Sequence, residues 1–376
     1  MCWSGNDNEK LSFVYAGPDR QEAYLPTVCA SNHAANLLEL PNGDLLCCWF
    51  AGSKEGNCDI SIYVSRKSSG STLWELPEKV SDDERRSEQN PSLFLHPDGE
   101  IWLVYTAQLP KPVDTGAFSI AEIPKFNMQY TAGIRRKISR DGGKTWGRTE
   151  LLFSEPGSFC RQSIQVLSRG RWVFGNWRCF CDDSRNGSDI SLVRISDDRG
   201  NTWKSVEIPN SRGKVHATIL ETEPDRLVAF FRSRAADYIY CSHSLDGGET
   251  WEEPRRTVLP NNNAGISACL LKSGRILMAY NDCSAGESTE PAVWPARRCP
   301  ITVALSEDGG NTWPYRRILE PGEGYTGEKN DCCNRRYEYP AVLQGKDGKI
   351  HIVYSYGDRV CIKYVCIGEE WILERV

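Results

Sequence analysis

The stretch SLDGGETW, Ser244 to Trp251, is one of four copies of the pattern Ser-x-Asp-x-Gly-x-x-Trp. The others are SRDGGKTW (Ser139 to Trp146), SDDRGNTW (Ser196 to Trp203) and SEDGGNTW (Ser306 to Trp313). The pattern is a turn device: the Asp carboxylate accepts hydrogen bonds from turn amides, Gly supplies positive φ, and Trp packs back beneath the turn. Four copies in one chain mark a structural repeat.

Working outward, six hairpin signals of apolar strand, tight turn and apolar strand run along the chain. They are LLELPNGDLLCCWF around Gly43, SLFLHPDGEIWLVY around Gly99, IQVLSRGRWVFGNW around Gly170, TILETEPDRLVAFF around Asp225, ACLLKSGRILMAYN around Gly274 and AVLQGKDGKIHIVY around Gly348. After the first and last hairpins, weaker relatives of the turn pattern stand in: SRKSSGSTLW ending at Trp74 and VCIGEEW ending at Trp371. Short strands repeated in this way bury their faces only against neighbouring copies, which predicts an all-β fold, a six-bladed β-propeller of four-stranded antiparallel blades. A radial repeat grows without dividing, so residues 1–376 read as a single domain with residues 1–28 as a lead-in. The apolar run LSFVYAG (Leu11 to Gly17) is expected to close the ring by pairing with the last blade.

The formal charge is −5, from 45 Lys and Arg against 50 Asp and Glu, with both signs spread along the chain. That argues against nucleic-acid and acidic-membrane partners. Sixteen cysteines would suit a disulfide scaffold only in a small secreted chain, whereas this chain has 376 residues and starts MCWSGNDNEK, without the basic and apolar regions of a signal peptide. A reduced, cytoplasmic protein is expected. The close pairs Cys47-Cys48, Cys332-Cys333 and Cys179-x-Cys181 lack zinc-site spacing, so neither a metal nor a cofactor is expected. No apolar run is long enough to span a bilayer.

Residues just before each first strand stand where a propeller's innermost strand begins beside the central channel. Aligned on the hairpin turns, His33, Gln89 and Glu338 become equivalent, with Asn90 and Tyr339 one place later. The third hairpin offers Arg161 and Gln162, the fourth Lys214 and His216, the fifth Asn261, Asn262 and Asn263. A lone His or Arg at a strand start is more often scaffold or surface than catalyst. Six segments aiming polar groups at one end of one axis, however, point to a functional pocket. The long spacings at Gln108 to Tyr130, Cys283 to Cys299 and Glu320 to Asn334 are expected to form its walls. His96, His243 and His351 fall in turns or outer strands and read as structural.

The turn copies resemble the Asp-box motifs of the sialidase superfamily, and SNHAANLLELPNGDLL, RRSEQNPSLFL, FFRSR, LPNNNAG and NRRYEYPAVL resemble sialidase-like propeller proteins over nearly the whole chain. The superfamily holds hydrolases, lyases and binding proteins. The resemblance implies that Arg232 and Arg298 match the second and third members of an arginine triad for a substrate carboxylate, and that Tyr339 matches the nucleophile. The sequence departs from the family where His33 replaces the first triad Arg and His216 replaces the Glu partner of the Tyr. In the loop for the acid/base Asp, AGSKEGN offers only Glu55. What remains suits an enzyme cleaving a terminal glycosidic bond at an anionic sugar, as a uronate-directed lyase or glycosidase of the rhamnose-glucuronate kind. Its expected partner is an oligosaccharide or polysaccharide. The expected catalytic groups are His33, His216 and Tyr339. Arg232 and Arg298 bind the carboxylate, and Gln89, Asn90, Arg161, Gln162, Arg234, Asn262, Arg335 and Glu338 line the pocket. The alternatives are an exo-α-sialidase with a rearranged site and a glycan-binding propeller without catalysis.

Overall fold

The computed structural model describes residues 14–15, 19–110, 128–180, 188–286, 290, 292–293, 298–322 and 337–374. Near the N-terminus lie β1 (Val14–Tyr15) and β2 (Arg20–Tyr24). The first blade is β3 (Ser31–Glu39), β4 (Leu45–Gly52), β5 (Ser61–Lys67) and β6 (Glu78–Lys79). The second is β7 (Ser87–Leu95), β8 (Ile101–Gln108), β9 (Gly133–Ser139) and β10 (Glu150–Phe153). The third is β11 (Ser158–Cys160) with β12 (Gln165–Val166), both paired to β13 (Trp172–Arg178), then β14 (Ile190–Ser196) and β15 (Lys204–Glu207). The fourth is β16 (Lys214–Glu223), β17 (Arg226–Ser233), β18 (Tyr238–Ser244) and β19 (Arg255–Pro260). The fifth is β20 (Ser267–Leu270), β21 (Ile276–Asn281), β22 (Ile301–Ser306) and β23 (Tyr315–Glu320). The sixth takes β24 (Tyr337–Gln344), β25 (Ile350–Tyr356) and β26 (Cys361–Ile367), and β2 and β1 continue its sheet. The fold is the expected six-bladed propeller of antiparallel sheets.

Each second strand is buried on both faces, which is why β4 (LLCCWFAG) and β21 (ILMAYN) read as continuous rather than alternating apolar runs. Outer strands such as β23 (YRRILE) alternate instead, with one face in water. The core therefore lies between blades. Leu46, Phe50, Leu93 and Tyr105 join the first to the second, for example, and Val173, Phe231 and Trp251 join the third to the fourth.

The four turns take the geometry their residues dictate. In the copy from Ser244, Asp246 Oδ1 accepts from the Ser244 hydroxyl at 2.8 Å and the Thr250 amide at 2.9 Å, and Trp251 Nε1 donates to Gly248 O at 3.0 Å. The Gly at the fifth position also has a packing reason: a Cβ on Gly310 would lie 2.6 Å from Phe230, and one on Gly200 2.8 Å from Trp102. The turn of one blade thus seats on the second strand of the blade before it. Thr stands before the Trp in all four copies and donates its hydroxyl to the Asp, a regularity that the shorter pattern leaves out.

Two expectations are corrected. The strand that pairs with the last blade is β2, which runs beside β26 from Arg20 opposite Ile367 to Tyr24 opposite Lys363. Of the run Leu11 to Gly17, only Val14 and Tyr15 are described, and they pair with β2. Polar β2 is held by the ladder and by charge: Lys363 Nζ lies 2.7 Å from Glu22 and also contacts Glu320, which accepts from the Tyr354 hydroxyl at 2.7 Å. The second correction is at VCIGEEW, which makes no turn of the repeated kind. It enters a short helix, α1 (Glu369–Leu373), whose Trp371 is buried against the fifth and sixth blades.

Candidate functional site

At the start of the innermost strand, five blades hold a non-glycine residue at positive φ: Ala34 (57°), Asn90 (51°), His216 (60°), Asn263 (55°) and Tyr339 (51°). In four of these the ladder slips there, between His33 and Asn36, Gln89 and Ser92, Val215 and Thr218, and Glu338 and Ala341. Such bulges re-aim side chains, and a left-handed Tyr or His is uncommon enough to mark a site. The third blade reaches the same end differently. Its ladder stops at Cys160 and resumes at Gln165, and Arg161 leaves the sheet in that gap.

These devices bring His33, Arg161, His216, Arg232, Arg298, Glu338 and Tyr339 into one buried cluster. Tyr339 is central. Arg232 Nη1 donates to its phenol oxygen, the His33 ring stands 4.3 Å from its ring centroid, and the His216 ring lies edge-on at 5.4 Å. The guanidinium carbons of Arg161, Arg232 and Arg298 lie 5.8, 5.4 and 5.7 Å from that centroid. Burial opposes ionisation of the phenol, but the Arg232 and Arg298 charges outweigh it and draw its pKa below the ordinary tyrosine value.

Glu338 is the second centre. It accepts from Arg298 Nη1 and from Arg359, whose Nε and Nη2 stand 3.2 and 3.0 Å away, and the two guanidiniums overcome burial to hold its carboxyl well below the usual range. Arg359 Nη1 also reaches Glu55 at 2.7 Å. His33 Nε2 lies 3.5 Å from Glu338, while Nδ1 is 2.8 Å from the Ser355 hydroxyl. The carboxylate favours the tautomer with its proton on Nε2, which leaves Nδ1 to accept from Ser355. Burial pushes both His33 and His216 well below the usual histidine value, with Arg359 and Arg232 respectively adding to the effect. Both imidazoles are therefore neutral near pH 7.

The expected carboxylate binders engage protein groups. Arg232 Nε donates to Asn263 Oδ1 at 2.7 Å in addition to its bond to Tyr339, and Arg298 faces Glu338. Arg234 is clasped by Asp189, Nε at 2.7 Å and Nη2 at 2.6 Å from one carboxylate oxygen. Of the other expected pocket residues, Gln89 donates to the Ser87 hydroxyl, Asn262 donates to Cys283 Sγ, and the Asn90 carbonyl accepts from Cys160. Gln162 is corrected outright. It donates to Ile266 O at 2.9 Å and lines a cavity of about 610 Å³ along the axis at the opposite end of the inner strands. Arg335 lies outside the described residues, as do residues 111–127, 287–289, 291, 294–297 and 323–334 of the expected walls.

Arg359, Ser355 and Asp189 went unread in the sequence. Arg359 and Asp189, like Glu55, belong to connections between second and third strands, which open at the same end as the inner strand starts. That topological rule, applied to every blade, would have found them. Asn32 fixes the Arg359 turn by donating its amide to Arg359 O at 2.8 Å and its side chain to Val360 O at 3.1 Å.

Among the described residues no group of three or more His, Cys, Asp or Glu is placed to hold a metal ion, and no helix is long and apolar enough to cross a membrane. Residues 43–352 match the family of BNR repeat-like domains. A sialidase of Micromonospora viridifaciens is 23% identical over 254 residues, 62% of this chain and 35% of that protein. This chain thus spans little more than a third of the curated sialidases it matches, such as that one and a Bacteroides fragilis sialidase covered to 38%. Among solved structures, the Hadza microbial sialidase Hz136 superposes with TM-score 0.70 at 19% identity, over 92% of this chain and 67% of that one. A protein of unknown function from Dyadobacter fermentans also gives TM-score 0.70, at 18% identity over 94% of this chain and 100% of its own.

Proposed function

From a chain that belongs to the family of BNR repeat-like domains, with a sialidase-like propeller fold, we propose a carbohydrate-active enzyme that cleaves a terminal glycosidic bond at an anionic sugar. One observation carries the reading: three buried guanidiniums lie within 6 Å of one phenol ring. Positive charge buried at that density favours an anion among it, and planar guanidiniums suit a carboxylate. The carboxylate of a uronic acid that carries the terminal sugar on its O4 meets that requirement.

Tyr339 is the reactive group in this reading. Arg232 and Arg298 neutralise the sugar carboxylate, which acidifies the adjacent C5 proton, and the Tyr339 phenolate removes it. The electron pair left on C5 forms the C4–C5 double bond as the C4–O bond breaks. The departing oxygen takes the proton back from Tyr339. His33 and His216, neutral at the working pH, hold Tyr339 and Arg232 in place rather than carry protons.

A second reading keeps the same residues in a hydrolase. The placement of Tyr339 against Arg232 also suits a phenolate that attacks an anomeric carbon, and the curated relatives that the chain resembles are sialidases. Glu55, bonded to Arg359, is then the acid.

Product mass separates these readings after incubation with a panel of sialylated oligosaccharides and of oligosaccharides whose terminal sugar is linked to O4 of a uronate. The expected product carries an unsaturated uronate, lighter by one water than the hydrolysis product. A saturated uronate or free sialic acid would replace elimination by hydrolysis. No product from any glycan, with binding retained, would make the chain a glycan-binding propeller.

A further inference from the structure

Arg161 reaches this cluster from the third blade, in the gap between β11 and β12. Its Nη2 donates to two backbone carbonyls, Ala35 O at 2.9 Å and Tyr339 O at 3.2 Å. Both carbonyls belong to the positive-φ bulges of the first and sixth blades, at Ala34 (57°) and Tyr339 (51°). A left-handed conformation at a residue as large as Tyr is strained, and a cationic donor on its carbonyl offsets part of that strain.

The other edge of the same guanidinium is unusual. Nε and Nη1 are buried without a hydrogen-bond partner, and no carboxylate pairs with Arg161 among the described residues. The neighbouring ionisable groups are the Tyr339 phenol, the thiols of Cys48, Cys160 and Cys47, and the His216 imidazole. Burial lowers the Arg161 pKa to about 10, which still leaves it charged at neutral pH. Arg234, Arg298 and Arg359, by contrast, each have a carboxylate. A buried guanidinium whose charge no carboxylate balances is costly, and such cost collects at functional sites.

We propose that Arg161 is the positioning residue of this site: it pins the bulge carrying Tyr339 to the bulge of the first blade and holds an uncompensated positive charge against the phenol ring. It acts through Tyr339 and does not touch the sugar, which revises its place among the pocket-lining residues. The inference rests on Tyr339 being the reactive group, as proposed above.

The test uses two variants of the full chain. Arg161→Gln keeps N–H donors and loses the charge; Arg161→Lys keeps the charge and loses the fork between the carbonyls. With tyrosines labelled with ¹³C at Cζ, the Tyr339 resonance is the one absent from Tyr339→Phe, and its titration is followed without any glycan. The expected result is a Tyr339 midpoint raised by about one pH unit in Arg161→Gln, a tenfold change, and by less in Arg161→Lys. On the cleaved glycan, both variants should lose about tenfold or more in kcat with KM within about twofold. A folded Arg161→Gln with an unmoved midpoint overturns the proposal, as does wild-type kcat in both variants. If both variants fail to fold by circular dichroism, Arg161 is scaffold and the proposal likewise falls. A shifted midpoint in a protein that cleaves no glycan sustains the Arg161 inference while sinking the catalytic reading.

Discussion

Arg232 on β17 and Tyr339 on β24 meet across the propeller axis, the guanidinium Nη1 donating to the phenol oxygen from 107 residues away in sequence. The contact joins the fourth blade to the sixth, so the spacing of the two groups depends on closure of the whole ring. It also sets the chemistry, because an ionised phenol is favoured where a guanidinium donates to it.

Tyr339→Phe should therefore abolish turnover while leaving the fold intact, since the ring packs as before and only the hydroxyl goes. Arg232→Lys keeps the charge but loses the second donor that Asn263 holds at 2.7 Å. A fall of about 10² to 10³ in kcat is expected, the scale of removing one charge-directed donor from an active site. The alkaline shift of the rising limb of the pH–rate profile in Arg232→Lys is the more specific readout. A limb that stays in place would remove Arg232 from the ionisation of Tyr339.

Glu338→Gln tests the second centre. The substitution leaves the Arg298 and Arg359 guanidiniums without their shared buried carboxylate. Breaking a buried pair on one side costs about 3 to 5 kcal/mol. Urea unfolding should show that loss, and Glu338→Gln combined with Arg359→Met should recover part of it. A double variant that is worse than the sum of the two single ones would contradict the pairing.

The turns were legible because their cause is local: Ser, Asp, Gly, Thr and Trp within eight residues supply the hydrogen bonds of the device, as the copy from Ser306 shows with 2.8 Å from Ser306 Oγ to Asp308 and 3.1 Å from Trp313 to Gly310 O. The inner strand starts were legible for a related reason, since alignment on the hairpin turns fixes their register. What the sequence did not display was long-range. Arg359 looks like a turn residue until the ring brings it to Glu55, and β2 looks like a polar lead-in until Lys363 pairs with Glu22. Gln162 was misread because the third blade interrupts its inner strand, so alignment by the turn no longer says which way the side chain points.

The two histidines give a pH dependence of stability with a defined sign. Unfolded imidazoles take a proton near pH 6.5, whereas burial holds His33 and His216 well below that value in the folded protein. Below about 6.5 the unfolded chain binds more protons, so stability is fully present above that pH and declines as the pH falls towards the folded values. Unfolding free energy should drop by about 2 kcal/mol between pH 7.5 and 5.5 on this account. His33→Gln and His216→Gln should each flatten the slope, and slopes equal to that of the parent would assign the pH response elsewhere.

Ring closure supplies the last test. The sixth sheet is completed by a strand from the other end of the chain, and its charged groups converge on Lys363, which contacts Glu22 of β2 and Glu320 of β23. Lys363→Met keeps the length and apolar stem of the side chain but leaves two carboxylates facing each other beside the Tyr354 hydroxyl. Because β2 is polar, its hold on β26 rests on the ladder and on charges, with Arg20 also reaching Glu22, Glu320 at 3.5 Å and the Trp371 ring, and Tyr24 edge-on against Tyr356. Lys363→Met should lower stability by about 3 kcal/mol or more, and amide exchange from Arg20 to Tyr24 should accelerate before exchange in β8 or β21 does. If these strands instead open together, the N-terminal strand is locked by the propeller as a whole and the ion pairs at Lys363 do not act as its latch.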